Sequence, residues 1–227
     1  MKSPMPVPCG NCGGTTVVTA SGNEPFPDAH CPSCGTTTFV INDARVSTRV
    51  FLRAKAELGS DDFTLTILLS AMSVECEISY QFFKWKKLDT EVAGGTVTPA
   101  HQEAWEKELR NLTAIDARLN ALSNLLTTHN FKDFVTAKPH LLSEYPEASK
   151  APATYFQQQL FWKRNQIAHF GKLDSNKSEA ESCVALALSL LRIFNSMDNV
   201  KNERLQEIHQ RQREDEAKRR QAKAPMK

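Results

Sequence analysis

The sequence predicts a mainly α protein: a four-helix bundle preceded by a small β segment and followed by a basic helical tail. Three observations predict it. Glycine, proline, threonine and cysteine crowd residues 1 to 42, apolar residues recur at threes and fours from about residue 46, and beyond residue 200 the apolar stripe fades into charge. The chain therefore divides into residues 1–45, 46–200 and 201–227. At 227 residues and 41% hydrophobic content it is long enough to bury a sizeable core. A net charge of +2 is too small to announce a nucleic-acid or membrane partner, so any such partner must be argued from local charge. No uninterrupted run approaches the roughly 18 apolar residues of a membrane span, and MKSPMPVPCGNC lacks the apolar centre of a signal peptide. The expectation is a soluble, cytoplasmic protein.

Four of the six cysteines, Cys9, Cys12, Cys31 and Cys34, form two C-x-x-C pairs eighteen residues apart. Each pair makes a tight knuckle that presents two thiolates, and the separation suits a β-hairpin that carries the second knuckle back to the first, so the spacing predicts one tetrahedral zinc. Disulfides or a redox pair fit poorly with a chain expected in a reducing compartment. The β-prone runs TTVV (15–18) and TTTFVI (36–41) flank the knuckles, and with CGNCGG and CPSCG the segment resembles a zinc ribbon. So small a module has almost no core, and the metal is expected to be structural. His30, beside Cys31, is a conceivable substitute ligand. Cys76 and Cys183 stand alone in apolar helical patterns and are read as small buried hydrophobes.

The first long helix is expected over 63–88, with Leu65, Leu68, Leu69, Met72, Cys76 and Ser79 along one face and Lys84, Lys86 and Lys87 near its C-terminal end. EVAGGTVTP (91–99) ends it. A second long helix is expected from Pro99, with Trp105, Leu109, Leu112, Ile115, Leu119, Leu122 and Leu126 at threes and fours. Residues 129–152 carry three prolines and no period, which predicts a long connection with room for one short helical turn. A third helix is expected from Pro152 to Gly171, a residue suited to a left-handed cap. A fourth follows the polar break KLDSNKS on the stripe Ala180, Cys183, Val184, Ala187, Leu190, Leu191 and Phe194. From Lys201 onward nine basic residues face five acidic ones, which reads either as a grip on phosphate backbone or as a solvated helical extension.

The third helix ends in RNQIAHFG, which places Arg164 and His169 five residues apart with Asn165 directly after the arginine. Twelve arginines and six histidines produce about 0.3 such spacings by chance, and Arg204 and His209 repeat it in the charged tail, so spacing alone is weak. Context separates the two. Arg164 is followed by a polar residue in an otherwise apolar helix and a glycine releases the chain after His169, whereas Arg204 lies in an exposed, charged segment. Internal cleavage of RNA needs a base for the 2′-hydroxyl, an acid for the departing oxygen and a cation for charge on phosphate; imidazole and guanidinium supply these. The competing reading pairs Arg164 with a carboxylate and lets His169 cap the helix.

RNQIAHFG at the end of a third helix, followed by a polar break and the Ala/Leu-rich SEAESCVALALSLL, resembles the HEPN superfamily. The likeness covers residues 60 to 200 as an architecture, and its specific motif is Arg164, Asn165 and His169. It implies a HEPN-like four-helix bundle acting as a metal-independent endoribonuclease, a homodimer whose two motifs meet in one cleft, in a toxin, antiviral or RNA-processing setting with a protein inhibitor or antitoxin as a possible partner. Some relatives have lost catalysis, which gives the alternative: an adaptor that binds nucleic acid or protein and dimerises through the bundle. Glu75 is within reach of the motif from a neighbouring helix, but a place at the bundle margin, paired with a lysine, is expected; Trp85, Tyr155, Phe156 and Trp162 are expected in the core rather than as base-stacking platforms.

Overall fold

Thirty residues without glycine or proline, Phe63–Val92, form one uninterrupted helix that most of the rest packs around. The protein is described from a computed structural model, which covers residues 3–8, 15–20, 29–30, 32–33, 37–38, 45–171 and 174–222. It is mainly helical. The helices are α1 (Val46–Gly59), α2 (Phe63–Val92), α3 (Pro99–Asn111), α4 (Ile115–Thr127), α5 (Phe131–Thr136), α6 (Pro152–Phe156), α7 (Trp162–Phe170) and α8 (Lys177–Ala222). Two single 3-10 turns, Pro139–Leu142 and Pro146–Ser149, lie between α5 and α6, and a π-helical segment, Gln157–Phe161, joins α6 to α7.

Near the N-terminus, β1 (Ser3–Pro8) pairs antiparallel with β2 (Thr15–Ala20), and β3 (Ala29–His30) with β4 (Thr37–Thr38). The β-prone runs anticipated β2 and β4. Pro4, Pro6 and Pro8 alternate along β1, which puts the three missing N–H groups on one edge of the strand, as a two-stranded pair tolerates. Cys9, Cys12, Cys31 and Cys34 lie outside the described residues, as does most of the expected zinc ribbon.

In the helical part the four expected helices are present but their number and faces differ. α1 is an additional helix, whose Phe51 and Ala54 are buried against α2 and α8. On α2 the buried row is Ile67, Ala71, Val74, Ile78, Phe82 and Trp85, not the expected row through Met72, which is half exposed. Either row satisfies helical spacing. α1 and α8 cover the sides of α2 that carry the first row, and they bury Ser70, Ser73, Glu77 and Gln81 with it, so the covered surface of α2 is wider than one stripe. The second expected helix is two. Leu112 and Ala114 leave helical backbone, with ψ of 77° and 142°, and the break separates α3, which buries no residue, from α4, whose Ile115, Leu119, Leu122 and Leu126 enter the core. One straight helix could not ride on the outer face of α2 through Trp105 and Leu109 and also deliver those four side chains inward. The long connection is more ordered than expected: α5 buries Phe131, Phe134 and Val135.

α8 matches its expected stripe, with Ala180, Cys183, Ala187, Leu190 and Phe194 sealed, and it continues through the charged tail to Ala222 without a break. By length and composition the stretch Lys177–Arg211 is apolar enough to cross a membrane, and half of its apolar window is buried inside the helical domain.

Polar anchors fix how α2 meets its neighbours. Asp198 of α8 accepts from the Trp85 indole at 2.6 Å and from Lys84 Nζ at 2.7 and 2.9 Å, while Lys201 reaches Asp89 at 2.8 Å. Glu77 accepts from Arg45 and Ser47 ahead of and within α1 and from Gln81 Nε2 at 2.8 Å. The buried indole N–H and the largely buried carboxylate satisfy one another, so removing one strands the other. Asp198→Ala is expected to lower stability by about 3 kcal/mol in urea unfolding, against less than about 1 kcal/mol for Lys201→Ala, whose partner is solvent-exposed.

Candidate functional site

The RNQIAHFG stretch occupies α7, and three local features set where its side chains go. Pro152 occupies the first position of α6, where its missing N–H is no loss. Gln157–Phe161 is wound as a π-helix, an insertion of one residue into the helical repeat that rotates α7 relative to α6. Buried Cys183 Sγ donates to the Gln159 carbonyl inside that segment at 3.8 Å, a weak contact to a backbone group displaced from regular geometry. At the other end Gly171 takes φ of 66°, its N–H returns to the Ile167 carbonyl at 3.1 Å, and the helix stops. The sequence reading of Gly171 as a left-handed cap therefore holds.

Beside α7 lies a cleft of about 500 Å³, walled by α2, the α3–α4 break and the start of α4. Arg164 and Asn165 line it, with Glu75, Arg118, Gln157 and Trp162. Arg164 Nη2 donates to both Glu75 oxygens at 2.6 Å, and Nη1 to Asn165 Oδ1 at 2.8 Å. Both members of the ion pair are about one quarter exposed. Glu75 thus sits at the bundle margin as expected, but its partner is the motif arginine rather than a lysine.

His169 is placed differently. It lies five residues past Arg164 and four past Asn165, on the same helical stripe as Trp162 and Asn165, yet it is exposed at the helix end and does not line the cleft. Phe170 beside it is 75% exposed. One chain therefore brings Arg164 and Asn165 together and holds His169 at the surface one turn further on. The second pair of the same spacing is unlike this: Arg204 donates to Thr128 Oγ1 at 3.3 Å, and His209 stands on an exposed face of α8.

Among the aromatic residues expected in the core, Trp85 and Phe156 are sealed and Tyr155 is half-buried against the core, but Trp162 is 57% exposed at the cleft. The π segment supplies the reason: Leu160 and Phe161 take the inward positions, and the next residue is turned outward. Arg118 is a residue the sequence reading missed. Its Nε donates to the Leu112 carbonyl at 2.6 Å, across the break between α3 and α4, and among the described residues it makes no ion pair. No periodicity marks it, because the break that turns it into the cleft has no glycine or proline signal. Trp162 was open to discovery, since it precedes Asn165 by three residues and His169 by seven.

The two cysteines among the described residues, Cys76 and Cys183, are both held toward the thiol form. Burial pushes the Cys183 thiol up to about 11, and burial together with Glu75 and Glu77 raises Cys76. Among the described residues no group of three or more His, Cys, Asp or Glu is placed to hold a metal ion.

Searched against protein-family models, curated proteins and solved structures, the chain matches none. Gly171→Ala, which forces a side chain into left-handed backbone, is expected to cost about 1 to 2 kcal/mol and to speed amide exchange over residues 167–170, where His169 is held.

Proposed function

We propose that the protein is a metal-independent endoribonuclease of HEPN type, acting as a homodimer through Arg164, Asn165 and His169. The observation that carries this reading is the solvent-open cleft in which Glu75 and Asn165 fix the Arg164 guanidinium, with His169 on the same stripe at an exposed helix end. Glu75 occupies one nitrogen and Asn165 another, so the arginine is oriented while part of its fork stays free for phosphate.

A second copy answers the position of His169. Val46, Met72, Cys76 and Tyr80 line an apolar groove that shares Glu75 with the cleft, and Met72, Tyr80 and, at the end of α7, Phe170 are exposed. Apolar side chains in that density suit a subunit contact. Association across this face would set two Arg164 side chains and two His169 imidazoles about one phosphate. One histidine takes the proton from the 2′-hydroxyl, whose oxygen bonds phosphorus; the guanidinium holds the charge on the equatorial oxygens; the other histidine protonates the departing 5′-oxygen. The products are a 2′,3′-cyclic phosphate and a free 5′-hydroxyl. Cys9, Cys12, Cys31 and Cys34 hold a structural zinc in this reading, and the ribbon and the basic end of α8 bring RNA to the site. A cytoplasmic toxin or antiviral role, restrained by a protein inhibitor, fits such an activity.

The second reading, a non-catalytic adaptor that dimerises and binds nucleic acid or protein, is favoured by the same Glu75 pairing, which neutralises the arginine, and by the distance of His169 from the cleft. Cleavage decides between them. Wild-type protein in excess EDTA should cut total RNA or tRNA to cyclic-phosphate ends, and folded His169→Ala and Arg164→Ala should be slower by about 10²- to 10⁴-fold. Equal cleavage by His169→Ala would sink the enzyme reading. Elemental analysis should give one zinc per chain, lost in Cys12→Ser, with the helical circular-dichroism signal unchanged.

A further inference from the structure

The cleft contains more than the motif needs. Arg118 lines it from α4 with its Nε pinned to the Leu112 carbonyl, and among the described residues no carboxylate balances its charge. Glu75, the acidic residue of the cleft wall, is already engaged at 2.6 Å by Arg164. Trp162 keeps 57% of its surface in water, although a residue of its size gains more than most from burial. Gln157 and Gln158, one helical turn before Phe161 and Trp162, add two exposed primary amides to the same wall.

These groups sort by chemistry. An unbalanced guanidinium takes a phosphate. An aromatic face held open to solvent takes a flat, unstacked ring. Neutral amides, each offering donors and an acceptor, read the edge of a base without preferring either charge. A volume of about 500 Å³ lies within the range of small-ligand pockets. A base inside an A-form duplex presents no free face to Trp162, which favours a loop or a single strand.

We propose that the cleft is a nucleotide subsite for unpaired RNA: Trp162 stacks one base, Gln157 and Gln158 read its edge, and Arg118 holds the phosphate adjoining the one assigned to Arg164. The inference rests on the reading of this cleft as the RNA site and names the substrate class, RNA cut at an unpaired nucleotide.

Binding separates this from catalysis. The probe is a fluorescent 2′-O-methyl octaribonucleotide, which cannot be cleaved through its 2′-oxygen, used as a single strand and as a blunt duplex, with full-length protein in EDTA and anisotropy as readout. The single strand should bind wild type at least roughly 10-fold tighter than the duplex, and Trp162→Ala should weaken it by roughly 5- to 100-fold, the span of one lost stacking platform. Trp162→Phe, which keeps an aromatic face, should retain most of the affinity. Arg118→Ala should lower the slope of log K against log salt by about 0.7, one phosphate contact on a single strand, while Trp162→Ala leaves the slope unchanged and Arg118→Lys keeps it. Wild-type affinity and slope in both alanine variants would overturn the proposal, as would equal binding of strand and duplex or no binding of the strand. RNA cleavage that persists beside unaltered binding by the variants leaves the ribonuclease reading standing without the subsite. The expected binding losses in a protein that cuts nothing leave the subsite standing and remove the ribonuclease.

Discussion

The architecture depends on α2 being covered on more than one side. A helix packed by α1 and α8 together cannot turn every polar side chain toward water, so each one that is enclosed must find a fixed partner. Glu77 faces the α1 side and is met by Arg45, Ser47 and Gln81. Trp85 and Lys84 meet Asp198 from α8. Glu75, two residues from Glu77 and so on the opposite side of the helix, emerges where α7 passes and receives Arg164. The candidate site is thus built on the one flank of α2 that its two largest neighbours leave uncovered, which is why a charged pair can persist there partly in solvent.

Enclosure also fixes what the ion pair can contribute. A carboxylate–guanidinium contact at this exposure adds little to stability, because both groups keep part of their hydration. Its effect is geometric: it removes the freedom of a long side chain and aims it. Across the cleft Arg118 is aimed by a backbone carbonyl instead, which restrains it and leaves its charge intact. Two arginines in one cleft, one neutralised and one not, give a site that is positive overall while the orientation of both cations is set before anything binds. Preorganisation of this kind lowers the ordering entropy of binding.

The helical class, the Gly171 cap, the apolar stripe of α8 and the start at Pro99 were legible because each rests on local chemistry: a left-handed φ, a period, a proline at a first turn. The features that were not legible depend on partners. α2 offers two rows of apolar residues at helical spacing, and only the positions of α1 and α8 choose the one through Ile67 and Trp85 over the one through Met72. The break at residues 112–114 has no breaker residue; it arises because α3 and α4 pack on different surfaces. Trp162 was misplaced for a related reason: a large aromatic was expected to bury its area, but Leu160 and Phe161 fill the inward positions and leave it at the cleft. Of the site, Arg164, Asn165 and His169 were visible as a motif, but that the first two share a cleft and the third does not is a property of the packed structure.

That π-helical segment separates two demands on a single rod. Upstream, Phe156 must point into the core; downstream, Trp162, Asn165 and His169 must run along the outer flank in one line. With a uniform repeat, fixing the phase of the first set fixes the second. The extra residue offsets the two halves by about 100°, one residue's worth of rotation. The functional face is therefore defined by a phase difference rather than by composition. A chain lacking one residue between 157 and 161 would keep every motif side chain but turn Arg164, Asn165 and His169 by that angle, and buried Ile167 with them.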